Sequence, residues 1–173
     1  DRVSRVRLVS DGSAVPDASS MLTRTESGAD FTFTTSGLPT GHLLTWKAVI
    51  FNRPENCKQD VGRLRCGEDD LSNPEVEGSV VYVTSFLLRQ AVAVDNVPGR
   101  LAADDKSHAL IGNGLTNPQG ADVHLVVVDR GPPIQALYGE MLATLGAGCN
   151  NAPPGWGTPG PYACVDIQIA AHQ

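Results

Sequence analysis

Apolar residues in this chain recur at every second position in short runs, and each run is closed by Gly, Pro or an Asn/Asp cluster. That pattern constrains the fold more than any other feature, because a side-chain period of two belongs to half-buried strands. The clearest case is ADFTFTTSGL, residues 29–38, where Phe31 and Phe33 share one face and Thr32 and Thr34 the other. In HLLTWKAVIFN, Leu44, Trp46, Ala48 and Ile50 form an apolar face opposed by Thr45 and Lys47. GADVHLVVVDRGPP, residues 120–133, places Val123, Leu125 and Val127 on one side and Val126 and Val128 on the other, so this strand is covered on both sides. CVDIQIA supplies a last strand with Val165, Ile167 and Ile169 on one face. Further strands are expected at residues 2–9, in SSMLTRTES and in SVVYVTSFLLRQAVAV, with DGSAVPD as a turn and DNVPG as a break.

Eighteen glycines and twelve prolines leave little room for helices. Residues 134–145, IQALYGEMLATL, are the exception: Ile134, Leu137, Tyr138, Met141, Leu142 and Leu145 follow helical spacing, with Gly139 weakening it. The expectation is a single all-β domain over residues 1–173, an antiparallel Greek-key β-sandwich with at most one short helix.

The four cysteines fall in two local pairs. Proximity favours Cys57–Cys66 and Cys149–Cys164, each stapling a polar or Pro/Gly-rich loop. A four-cysteine zinc site would use much tighter pairs. Disulfides imply an oxidising compartment: secreted, cell-surface or periplasmic. The chain opens at Asp1 inside a strand-like pattern, as a processed mature protein would, and has no apolar run long enough to span a membrane. The net charge of −6 and the lack of a broad basic patch argue against nucleic acid as a partner.

Several residues are candidates for chemistry or binding. His42 and His124 both stand at strand starts; converging, they could bind copper or zinc with His108, Asp122 or Asp129 as a third ligand. The bland alternative is a hydrogen-bonded imidazole at each strand end. Glu68, Asp69 and Asp70, and the pair Asp104 and Asp105, could offer oxygens to calcium, but lack EF-hand alternation and read as solvated loops. No G-x-S-x-G is present, and no aromatic-rich groove accompanies the carboxylates, so an extracellular polymer hydrolase ranks last and no cofactor is expected. Trp156 and Tyr162 sit in the rigid loop NNAPPGWGTPGPYAC, which either presents them to a ligand or partner or folds Trp156 back over the sandwich as a lid on the core. Arg2, Arg5 and Arg7 give the first ten residues a charge of +2, leaving −8 for the rest. Such a basic strand pairs with its own sheet or with a neighbouring subunit.

Three segments, SGLPTGHLLTWKAVIFNRPENC, GLTNPQGADVHLVVVDRGPP and CVDIQIA, resemble a family of uncharacterised secreted bacterial proteins and, more distantly, the chordin-type (CHRD) domain. The resemblance covers residues 29–170 and implies an extracellular, disulfide-bonded β-sandwich. Where that family often has His-Gly-Pro after the histidine-bearing strand, this chain has Arg130-Gly131-Pro132. Arginine is no ordinary metal ligand, which counts against a metal site. The leading expectation is a non-catalytic extracellular structural or interaction protein that self-assembles through its N-terminal strand or an exposed sheet edge. The alternative is a metal- or small-ligand-binding protein using His42 and His124.

Overall fold

A computed structural model of the protein describes residues 2–58, 62–91 and 93–173. Asp1, counted in the N-terminal charge, lies outside the described residues, as do Gln59, Asp60 and Val61 of the first stapled loop and Val92 of the expected strand region. Nine antiparallel strands are described: β1 (Arg2–Leu8), β2 (Ala14–Thr25), β3 (Gly28–Thr35), β4 (Leu43–Phe51), β5 (Gly78–Leu87), β6 (Val94–Ala102), β7 (Ala109–Ile111), β8 (Asp122–Asp129) and β9 (Val165–His172). They form one curled sheet in the order β6-β3-β2-β1-β9-β8-β4-β5-β7. The two layers expected of a sandwich are the two halves of this sheet, facing each other across a common core.

That core is built from the alternating faces read in the sequence. Phe31, Phe33, Leu44, Trp46, Ala48, Ile50, Val123, Leu125 and Val127 all bury into it. Phe33 meets Trp46 edge-on at 6.1 Å between ring centroids, and Phe86 stacks on Trp46 at 4.9 Å. Aromatic contacts across the halves supply large buried area with defined geometry. Gly99 of β6 lies directly under the Phe31 ring; a Cβ there would sit 2.2 Å from its Cζ, so no larger residue fits without moving the ring.

Several boundaries differ from the sequence reading. β2 begins at Ala14, inside the expected turn, and absorbs Asp17 in a left-handed conformation at φ 54°. The expected break DNVPG lies within β6, which pairs with β3 on one side only. Proline is tolerated there because an edge strand has unpaired positions. The expected helix shortens to α1 (Tyr138–Ala143), preceded by a 3₁₀ turn over Gln135–Leu137. Its apolar stripe still packs, with Met141 and Ala147 against Leu43.

The last strand inverts the expected face. Gln168, Ala170 and His172 are the buried members of β9, while Val165 is 51% exposed. Two polar anchors explain this. Thr35 Oγ1 donates to Gln168 Oε1 at 2.5 Å and Gln168 Nε2 donates to the Ser36 carbonyl at 2.9 Å. His172 Nε2 and Ser20 Oγ lie 3.0 Å apart. Buried polar groups are tolerated where such partners exist.

Both expected disulfides form, Cys57–Cys66 and Cys149–Cys164. The first holds a lid in which Cys66 and Val76 pack on Phe51. The second holds the long loop before β9 on the outer face of β8, where Val128, Val80 and Leu145 meet Trp156 and Cys164. Replacing Cys149 and Cys164 together by serine is expected to cost roughly 3 kcal/mol, from a closed loop of about 15 residues. That corresponds to a melting temperature lower by roughly 6–12 °C for a chain of this size. Thermal unfolding followed by circular dichroism checks it; coincident melting curves would contradict it.

Candidate functional site

The histidines proposed as a shared ligand pair are at opposite ends of β8. His42 precedes β4 and its Nδ1 lies 2.8 Å from Asp129 Oδ1. The same carboxylate oxygen accepts the Gly131 N–H at 2.8 Å, so the pair pins the turn after β8. His124 is five positions back along β8, roughly 17 Å away at strand rise, level with Val49 and Ala171. His42 and His124 therefore do not converge. His124 is buried against Phe51, ring centroids 5.1 Å apart, and its Nε2 has no partner among the described residues. Burial pushes its pKa down to about 4, with only the Asp122 charge opposing. The ring is held neutral.

The other candidate ligands are engaged elsewhere. Asp122 is buried and accepts both Arg65 Nε, at 3.0 Å, and Arg65 Nη2. His108 packs beside Tyr82. Asp70, of the acidic run 68–70, is buried and accepts the N–H groups of Lys58 at 2.8 Å and Gly67 at 2.9 Å. It braces the first stapled loop. Asp70 is also close to Cys57 and Cys66, but disulfide sulfurs are not thiolates and offer no metal-binding charge. Asp104 is in a left-handed turn at φ 59°, and Asp105 accepts the Ser107 N–H at 2.8 Å.

Arg130 follows β8 directly, and its role is architectural. It points inward, fully buried, and its guanidinium donates to Thr45 Oγ1 and to the carbonyls of Met141, Thr144 and Ala147. These carbonyls sit at and beyond the end of α1, where backbone acceptors have no helical partner. Desolvation pushes the Arg130 pKa down to about 10, still leaving it charged at neutral pH. Gly131 follows at φ 77°, with Tyr162 packed over it so closely that a Cβ would fall 2.9 Å from the ring. Tyr162 thus braces the turn, and Trp156 closes over the outer face.

The arginines of β1 divide. Arg5 and Arg7 share the outer face with Val3, whereas Arg2 is level with the buried Leu22. β1 pairs with β2 and with β9, inside its own sheet. The free edges are guarded. β6 carries Pro98 and a left-handed Asn96, and β7 has only three residues. Such devices discourage edge-to-edge addition.

The two disulfides mark a chain stabilised by oxidation, and no helix among the described residues is long and apolar enough to cross a membrane. What sequence reasoning missed is His172. Its signal was the polar alternation Gln168, Ala170, His172 in a strand whose odd positions look more apolar. Compared with protein-family models, with curated proteins and with solved structures, the chain matches none.

Proposed function

We propose that the protein is an extracellular, non-catalytic interaction protein that associates with further copies of itself through the uncovered outer face of β1, β2, β3 and β6. One observation carries this reading. Val3, Met21, Thr32 and Pro98 lie in register across these four strands, forming a continuous row on the outer face. Val3 is 68% and Met21 42% exposed. On the other half of the sheet the outer face is covered by α1, the Trp156 loop and the lid over Phe51. A largely apolar row on an uncovered sheet face suits a two-fold pairing with the same row of a second copy. The extracellular placement rests on the two disulfides and on the resemblance to secreted proteins.

Sedimentation velocity over a concentration series tests it. The wild type is expected to associate, and Val3→Glu combined with Met21→Lys to weaken association at least tenfold. Surface substitutions of this kind shift stability by no more than about 0.5 kcal/mol. A wild type that stays monomeric at high micromolar concentration would end the proposal.

A further inference from the structure

β1 and β9 are joined at Arg7–Ile169 and Leu8–Gln168, and the ladder does not continue toward Arg2 and His172. At that end of the sheet a pocket of about 470 Å³ opens, lined by Arg2, Arg24, Gln119 and Gln173 over a floor of Leu22 and Ala121. Among the described residues no acidic side chain lines it. Two cations thus face one cavity in a chain whose net charge is −6.

Arg24 is the unusual member. It is half-buried, and its guanidinium donates to the carbonyls of Pro118, at 2.9 Å, and His172, at 3.5 Å. No carboxylate of the described residues forms an ion pair with it. The acidic group whose charge reaches it, Asp122, is held through both oxygens by Arg65. Burial first, and then the positive charge of Arg2, disfavour the charged form of Arg24. A partly desolvated cation beside a second cation, with no ion-paired carboxylate among the described residues, is the electrostatic state that an incoming anion relieves. Gln173 also lines the cavity, and its Nε2, an amide donor, is buried without a partner among the described residues. Native structures seldom leave such donors unsatisfied.

We propose that this pocket binds a small organic oxyanion, a carboxylate or phosphate group carried on a body about the size of a monosaccharide. Arg2 and Arg24 hold the oxyanion, and the amides of Gln119 and Gln173 bond the body. The volume is that of small-molecule sites and exceeds what a lone inorganic ion fills. Guanidinium groups suit both carboxylate and phosphate, because their paired donors match two oxygens.

Isothermal titration calorimetry at low salt, with glucuronate, glucose 6-phosphate and uncharged glucose as probes, tests the assignment. At least one charged probe is expected to bind and glucose not to; which charged probe binds tighter tells carboxylate from phosphate. Arg2→Gln and Arg24→Gln are each expected to weaken binding at least tenfold, while Arg5→Gln, on the outer face, leaves it unchanged. Arg2 is exposed, so its variant remains informative even if the Arg24 variant fails to fold. No heat with either charged probe at millimolar concentration, equal binding of glucose, or binding indifferent to the Arg2 variant would overturn the proposal. Met21→Lys, which targets association, is expected to leave probe binding intact, so the two proposals fail separately.

Discussion

Arg130→Met is expected to lower stability by about 3–5 kcal/mol, because several buried acceptors each lose a donor at about 1–3 kcal/mol apiece, partly offset by no longer burying the charge. At roughly 2–4 °C per kcal/mol for a chain of this size, the melting temperature should fall by about 6–20 °C. Methionine fills much of the same volume and removes every donor. The carbonyls of Met141, Thr144 and Ala147 and the hydroxyl of Thr45 then lose their shared partner in the interior. Buried acceptors left without donors carry the full desolvation penalty. Arg130→Lys should recover little, since an ammonium on a flexible stem cannot reach four acceptors arranged around a planar fork. Thermal and urea unfolding of the two variants checks this. If the methionine variant melts with the wild type, Arg130 is not the organiser of this region.

The second large effect is a loss of stability in mild acid. His124 and His172 are both buried, and burial is the main cause pushing each pKa down to about 4. For His172 the charges of Arg24, His124 and Arg2 add to the effect. The unfolded chain takes up these protons near pH 6.5, the folded chain only near 4. Stability contributed by the neutral rings is therefore complete above about pH 6.5 and declines as pH falls toward 4. A depression of this size corresponds to about 3 kcal/mol at most for each ring. The double variant His124→Leu, His172→Gln should flatten the dependence of the urea midpoint between pH 7 and 4. An unchanged slope would assign the acid sensitivity to other groups.

The faces of β3 and β4 were legible because each alternates and its apolar face meets another apolar face, and β8 was legible as a run apolar on both faces. The disulfide pairing was legible for a different reason, the short spacing within each pair. β9 was misread because the core beside it is polar: Thr35, Ser36 and Ser20 reward Gln168 and His172 for facing inward, and those partners are more than a hundred residues away. β6 was obscured by Pro98, whose tolerance depends on the strand being an edge, a property of sheet order that no local window contains. The Arg130 turn announced itself only as a departure from a resemblance. Its purpose became readable once the ends of α1 and the following loop were placed around it. The Arg2–Arg24 pocket joins residues from β1, β2 and the segment before β8, and nothing in their spacing predicts the meeting.

The pairing of β1 with β9 also has a mechanical meaning. The two strands are antiparallel neighbours, so Arg2 and His172 lie at the same end of the sheet, and the ladder contacts between the strands are at the far end, at Arg7–Ile169 and Leu8–Gln168. A load applied between Arg2 and His172 would peel these strands apart, stressing their few hydrogen bonds one after another. Strands loaded from opposite ends would instead share the force across all their bonds at once. Tethered at those two points, this domain would yield at low force, and the β1–β9 boundary is where it would open first.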